Sequence, residues 1–115
     1  MENIVYNELN IRGYNVDVGS VDVFDRSKTD SKYQRKSIEI DFVVNHMSHR
    51  YYIQVATDIS TPSKKAQKVR SLLSIKDAFR KILLVKNSAT SYYDDDDISI
   101  LSLKDFLLNP SSIDM

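Results

Sequence analysis

The stretch that most constrains the fold is Ser37–Ala56, in which two runs of alternating apolar and polar residues flank a short polar link. Period-2 alternation is typical of β-strands, and two such runs joined by a short link predict a β-hairpin. A symmetric turn centred on Met47 and Ser48 pairs Asn45 with Arg50. We therefore expect the core to form around an antiparallel strand pair.

Counting on along this register places Asp41 opposite Gln54 and Glu39 opposite Ala56. A slip by one residue would move the two apolar sets to opposite sides of the sheet, so this register is favoured. We expect an apolar face made of Ile38, Ile40, Phe42, Val44, Tyr51, Ile53 and Val55. We expect the other face to carry Glu39, Asp41, Val43, Tyr52, Gln54 and Ala56. Folding does not require two carboxylates on such a strand, which makes the second face the first candidate for function.

Composition narrows the class of protein. A chain of 115 residues and 13.3 kDa is long enough for one domain whose apolar core is stable without disulfides or structural metal ions. It has no cysteine, which excludes disulfides and thiolate metal sites, and its 16 basic residues balance its 16 acidic residues. No apolar run approaches the roughly 18 residues of a membrane span, and the polar N-terminus does not resemble a signal peptide. We expect a globular, cytoplasmic protein with no membrane partner.

The sequence before the hairpin predicts a helix, a strand and a loop. Apolar residues at helical spacing predict a helix over Glu2–Arg12, with Gly13 as its left-handed C′ residue. Tyr14–Phe24 alternates but changes phase at Gly19, where a bulge would restore the facing. Asp25–Lys36 has no period and is expected to form a mobile loop. Its cations, which are either solvated or available to phosphates, are Arg26, Lys28, Lys32, Arg35 and Lys36.

The sequence after the hairpin predicts two helices and two strands. A Thr-Pro pair starts a helix over Pro62–Ile75, and the apolar run Ile82–Val85 is typical of a strand buried on both faces by parallel pairing. Ile98–Leu101 predicts a short strand and Ser102–Leu108 a capped terminal helix. Residues 87–97, with four consecutive Asp, predict a solvated loop. The predicted fold is α/β, a mixed central sheet flanked by helices.

Several charged residues in these helices have two interpretations. Glu2 either offsets the helix dipole or directs a carboxylate at the sheet, because it lies on the side of the apolar stripe. Lys64, Lys65 and Lys68 either solvate the second helix or bind the phosphates of a nucleic acid. The sequence leaves both alternatives open.

At this point the chain resembles a known family. Its element order resembles the αβββαβ core of the PD-(D/E)XK, restriction-endonuclease-like fold. Over nearly its whole length it is also similar to the C-terminal domain, of unknown function, of a prokaryotic AAA-type ATPase family. The segments that carry the resemblance are Glu2–Leu9, Arg12–Tyr14, Glu39–Val43, Tyr52–Ala56 and Asp105–Leu108. The resemblance implies one nuclease-like domain over residues 1–115, either the C-terminal part of a longer ATPase or a stand-alone copy.

The resemblance also implies a candidate site. In active members of the fold, two acidic residues bind Mg²⁺, a lysine two positions later positions the attacking water, and a helix glutamate completes the site. Asp41 matches the first acid and Glu2 the helix glutamate, whereas Gln54 stands in place of the second acid and Ala56 in place of the lysine. Glu39 is a candidate to restore the missing charge and act as a metal ligand with Asp41 and Glu2. Lys64 or Lys65 could supply the missing ammonium group.

These substitutions lead to two functional hypotheses. In the first, the site is degenerate, Asp41 and Gln54 form a structural polar pair, and the domain is a non-catalytic accessory or interaction domain of an AAA-type ATPase. The ATPase module would act in cis or in trans, since this chain has no Gly-x-x-x-x-Gly-Lys-Ser/Thr loop. The hypothesis includes DNA among the partners that the domain could contact. In the second, the domain is a divergent Mg-dependent nuclease that uses Glu2, Asp41 and Gln54.

Overall fold

The computed structural model describes residues 1–26, 33–88 and 90–114, with the backbone alone for 22–26 and 33–36. In this part of the chain a six-stranded mixed sheet is combined with three α-helices. The α-helices are α1 (Glu2–Ile11), α2 (Pro62–Leu73) and α3 (Leu103–Leu108), and a 3-10 helix covers Ser112–Asp114. The strands are β1 (Asn15–Arg26), β2 (Tyr33–His46), β3 (His49–Ala56), β4 (Arg80–Val85), β5 (Tyr92–Tyr93) and β6 (Ser99–Ser102). The predicted α/β class is confirmed.

Helix ends form where the sequence places capping residues. Gly13 adopts a φ of 87° after α1, and its N–H donates to the carbonyl of Asn10 over 3.0 Å. The hydroxyl of Thr61 accepts from the N–H of Lys64 over 3.3 Å, and that of Ser102 accepts from Asp105 over 3.1 Å. These caps confirm the predicted helix starts and stops, although α2 ends at Leu73 instead of Ile75.

The strands are arranged in the order β1-β2-β3-β4-β6-β5. β1 pairs with β2 and β2 with β3 in antiparallel fashion, and the Asn45–Arg50 pair has the predicted register. β3 pairs with β4 and β4 with β6 in parallel fashion, so α2 is the crossover between β3 and β4. Parallel pairing with β3 on one side and with β6 on the other explains why the run Ile82–Val85 of β4 is continuously apolar and buried on both faces.

The sheet carries a separate apolar core on each face. One core lies under α1 and α3 and includes Val5, Leu9, Phe42, Val44, Tyr51, Ile53, Val55 and Phe106. The other lies under α2 and includes Ile38, Ile40, Val43, Tyr52, Ala56, Val69 and Leu72. The three layers bury the apolar stripes of the helices, which is the main source of stability for elements this short. None of the helices in the described ranges is long and apolar enough to cross a membrane.

The facing of β2 differs from the prediction. Ile38 and Ile40 belong to the core under α2, whereas Phe42 and Val44 belong to the core under α1. The prediction that all four share one face is therefore wrong. The cause is a β-bulge: Asp17 is opposite Val43 and Gly19 is opposite Ile40, so two residues of β2 face one of β1.

The bulge lies level with Gly19, as predicted, but its extra residue belongs to β2. Within β1 the alternation continues, so Val16 packs against the core under α1 and Val21 against the core under α2. The expectation that a bulge in β1 would return these residues to one face is wrong. Glycine still suits position 19, because its φ of 139° is rarely adopted by other residues.

Two predicted loops contain strand. Residues 25–26 and 33–36 of the expected loop continue the β1–β2 ladder as far as Arg26 and Tyr33, and only residues 27–32 lie outside the described part. The backbone ladder explains how a polar, aperiodic sequence remains extended, since cross-strand hydrogen bonds do not require apolar side chains. Tyr92–Tyr93 also pairs with β6, as a two-residue strand at the sheet edge.

The C-terminal segment is fixed to the sheet by one carboxylate. Asp114 accepts hydrogen bonds from the hydroxyls of Tyr14, over 2.9 Å, and of Tyr51. Beside it Ile113 is fully buried, and its carbonyl accepts from Arg80 over 2.9 Å. Burial, followed by the hydrogen bond to Asp114, raises the pKa of Tyr14 to about 12, and the same causes raise the pKa of Tyr51.

These tyrosines predict a loss of stability at alkaline pH. Their folded-state pKa values lie above the ordinary value of 10.0, so their stabilisation is complete below pH 10. We expect it to be lost as the pH rises through 10 towards 12, because the unfolded state ionises first. The denaturant midpoint, measured between pH 8 and 12, should fall steeply in the native protein and less in the Tyr14→Phe/Tyr51→Phe double variant. Tyr92→Phe, at an exposed position, is the control, and parallel pH profiles for all three proteins would contradict the assignment.

Candidate functional site

The candidate site lies where β2 and β3 separate. Their backbone pairing is regular from the turn to the Phe42–Ile53 pair. Beyond it, β2 follows β1, with Ile40 opposite Gly19, while β3 follows β4, with Ala56 opposite Val85. We call this position the strand fork; it is the point at which Asp41 and Gln54 face each other.

Asp41 and Gln54 close the strand fork by exchanging hydrogen bonds with the opposite backbone. The N–H of Asp41 donates to Oε1 of Gln54 over 2.7 Å. The N–H of Val55 donates to Oδ2 of Asp41 over 2.9 Å. Both side chains are half-buried. Each side chain therefore satisfies a backbone donor that the widening ladder no longer pairs.

This exchange limits what the two groups can do chemically. One oxygen of Asp41 and the amide oxygen of Gln54 each accept a backbone N–H, so they are oriented towards the protein backbone. Gln54 also carries no charge with which to attract a cation. The pair matches the structural interpretation offered by the sequence, except that the two side chains bond to backbone and not to each other.

Ala56, at the position where the resemblance implies a lysine in active nucleases, faces an apolar environment. It is 2% exposed and belongs to the core under α2. A lysine there would place its ammonium group among apolar side chains, and burying an unpaired charge is costly. The surroundings of position 56 are therefore those of a core residue.

Glu39 does not lie where the sequence predicted. It is exposed, is opposite Ser20 of β1, and stands between Ile38 and Ile40, which both face the core under α2. Alternation then directs Glu39 away from that core, on which Ala56 lies. The prediction that Glu39 shares a face with Ala56 is wrong, because the bulge in β2 reverses the facing between the two halves of the strand.

Glu2 lines a groove with two of the predicted nucleic-acid-binding lysines. The groove has a volume of about 860 Å³, and its lining includes Glu2, Val55, Lys64 and Lys68. Lys64 forms an ion pair with Asp58 at 3.2 Å. Hydrogen bonds from Ser60, and then from Lys64, lower the pKa of Asp58.

Lys65 does not join this groove. It forms an ion pair at 3.2 Å with Asp94, whose side chain is 5% exposed. Lys65 instead lines a larger groove on the other side of α2, of about 990 Å³, described further below. The three lysines predicted to act together are thus divided between two surfaces of one helix.

The carboxylates do not gather into a metal site. Across the described ranges, no group of three or more acidic or histidine side chains is arranged to hold a metal ion. Glu2, Glu39 and Asp41, the metal ligands implied by the resemblance, therefore do not form a three-carboxylate set.

The structure adds a polar cluster that sequence reasoning missed. The hydroxyl of Tyr52, a residue only 1% exposed, donates to Asp77 over 2.6 Å. Asp77 also accepts from Lys81 at 3.4 Å and from the N–H of Phe79 at 3.0 Å. Burial raises the pKa of Tyr52, followed by the hydrogen bond to Asp77. The sequence signals Tyr52 only as a strand residue, because its partner lies 25 positions away.

Comparison with curated proteins identifies a relative of the chain but does not assign it to a family. No family model matches the chain. It is 37% identical over 111 residues to a protein of Haemophilus influenzae described as "Uncharacterized protein". The match covers 94% of this chain and 22% of the relative, so the chain spans about a fifth of that protein's length. In the relative, the matching sequence therefore lies within a much longer polypeptide.

The strand fork predicts a stability difference between two substitutions of Asp41. Asp41→Ala leaves the half-buried N–H of Val55 without its acceptor and should cost about 1–3 kcal/mol in the free energy of unfolding. Asp41→Asn retains a carbonyl oxygen at the same position and should cost less than about 1 kcal/mol. Urea denaturation at neutral pH measures both values.

The control for this experiment is Asp96→Ala. Asp96 is exposed, and its replacement should change stability by no more than about 0.5 kcal/mol. If Asp41→Ala proved as stable as Asp96→Ala, the fork would not depend on the Asp41 carboxylate.

Proposed function

We propose that this chain is a nuclease-like domain that has lost metal-dependent cleavage and serves as a non-catalytic accessory domain of an AAA-type ATPase. The observation that carries the proposal is the exchange of hydrogen bonds at the strand fork, where Asp41 and Gln54 both bond to backbone. A site used in this way contributes to the fold of the hairpin and offers little to a substrate.

The restriction-endonuclease-like fold is part of this proposal. The observed order α1, β1, β2, β3, α2, β4 follows the αβββαβ core, with antiparallel pairing in its first half and a parallel crossover in its second. The strand fork also lies at the position that the motif assigns to the metal site. These features support the proposed kinship, while the altered residues Gln54 and Ala56 support the loss of cleavage.

The proposed partner is an ATPase module, in cis or in trans. The relative from Haemophilus influenzae is long enough to hold further domains, since the matched region covers 22% of it. A small, non-catalytic domain within a longer polypeptide commonly contributes binding surface, and this supports an accessory role. The chemistry of nucleotide hydrolysis would be supplied by the other module.

A divergent nuclease is the second candidate. Glu2, Lys64 and Lys68 line one groove together with Val55, the residue whose N–H bonds to Asp41. Glutamate and lysine are residue types that a nucleic-acid-cleaving site would use. The hypothesis requires that the side chains of Asp41 and Gln54 give up their hydrogen bonds to the backbone and bind a metal ion when substrate binds.

A cleavage assay separates the two candidates. Purified protein is incubated with duplex DNA, single-stranded DNA and RNA, in Mg²⁺ and in Mn²⁺. We expect no cleavage above that of the Asp41→Asn variant, which keeps the fold and removes the charge. The matched control is Asp96→Asn, which removes a carboxylate at an exposed position remote in sequence from the fork. Cleavage that is lost in Asp41→Asn and kept in Asp96→Asn would refute the proposed loss of catalysis.

A further inference from the structure

The larger groove, beside α2, combines an apolar floor with open space. Its volume is about 990 Å³. The floor includes Ile38, at 7% exposure, and the side of the groove includes the partly buried Val21 of β1. We call this feature the α2 groove. It has the larger volume of the two grooves beside α2.

Helix α2 has one apolar stripe, and the core covers only part of it. Val69 and Leu72 are buried against the sheet. Pro62, Ala66 and Leu73 follow one another at intervals of one and two helical turns, remain exposed, and line the α2 groove. The exposed part of this stripe gives the α2 groove an apolar wall next to the buried Val69, and such a wall can contact another polypeptide segment.

The acidic residues of the rim are largely compensated within the domain. Asp77 accepts hydrogen bonds from Tyr52 and Lys81, and Asp94 is paired with Lys65. Their charges are therefore balanced by neighbours and contribute little to an incoming ligand. Asp96 is the remaining acidic residue of the rim.

The basic residues of the rim are less compensated. Arg70 and Lys76 are exposed and have no ion pair to any residue of the described ranges. Arg50 donates to the neutral amide oxygen of Asn45 over 2.9 Å and lies 5.9 Å from the ring centre of Phe79. The rim therefore has a net positive charge next to an apolar floor.

We propose that the α2 groove binds an amphipathic peptide segment of a partner protein, with apolar side chains on the floor and Asp or Glu side chains against Arg50, Arg70 and Lys76. Charge complementarity selects this occupant: an apolar floor requires apolar side chains, and a cationic rim favours acidic flanks. A nucleic acid suits the groove less well, because contacts to its phosphates would leave the apolar floor uncovered. The proposal deepens the accessory role proposed above and rests on it.

The test pans a phage-displayed library of random 12-residue peptides on the full chain. We expect enrichment of sequences that combine several apolar residues with an excess of Asp and Glu. Enriched peptides are then synthesised with a fluorophore, and their affinity is measured by fluorescence anisotropy. An Arg70→Glu/Lys76→Glu variant should bind them about tenfold more weakly, because two attractive contacts become repulsive.

The matched control is Lys68→Glu. Lys68 lies on the same helix, is exposed, and lines the opposite groove, so its reversal changes the net charge of α2 without changing the rim. Leu73→Ser tests the apolar stripe and should also weaken binding, while circular dichroism confirms that each variant remains folded. A loss of affinity per reversed charge that is the same in Lys68→Glu as in Arg70→Glu/Lys76→Glu would show attraction to net charge alone and would overturn the proposal.

Other outcomes also overturn it. A library that yields no enriched peptide, or only basic or neutral ones, removes the proposed occupant. Salt-sensitive binding of a labelled 20-nucleotide DNA that is lost in Arg70→Glu/Lys76→Glu and retained in Leu73→Ser would assign the groove to nucleic acid.

The accessory role fails by a different measurement. It fails if DNA or RNA is cleaved in an Asp41-dependent manner, whatever the peptides do. Absence of both cleavage and peptide binding removes only the groove proposal. The two failures are therefore distinguishable in one set of variants.

Discussion

The fold depends on how the chain handles the point at which two paired strands take different partners. β2 leaves β3 to follow β1, and β3 continues beside β4, so backbone donors at the strand fork lose their ladder partners. An unpaired half-buried N–H is costly, and here Asp41 and Gln54 supply the missing acceptors. A carboxylate and an amide thus stabilise a branch in the sheet that apolar residues could not.

The bulge in β2 lies next to the strand fork. It adds one residue opposite β1, reverses the facing of the strand, and allows Ile38 and Ile40 to join the core under α2 while Phe42 and Val44 join the core under α1. One strand therefore contributes to both cores of a small sheet. The polar residues at the fork and the bulge beside it therefore form one structural arrangement.

The features of this fold that depend on residues close together in sequence were predictable. The features that depend on contacts between distant residues were not. The caps of α2 and α3, Gly13 and the hairpin register follow from residues within a few positions of one another. The face of the sheet on which Glu39 lies could not be predicted from the sequence. The residues from Ile38 to Val44 alternate without a break, and the bulge among them becomes visible only in the pairing of β2 with β1. Asp114 with its two tyrosines was equally hidden, since the partners lie 63 and 100 positions apart. The polar pair of the candidate site was predictable, but its backbone partners were not.

The edge strand β5 has a consequence for how copies of this domain behave towards each other. A sheet edge exposes unpaired backbone groups that can recruit another edge, and natural proteins limit this by short strands and charge. Here the edge pairs over only two residues, and four consecutive aspartates follow it directly. Two such edges that approach each other would bring like charges together before any backbone bond could form. Like-charge repulsion of this kind opposes edge-to-edge pairing at Tyr92 and Tyr93, which are exposed to solvent.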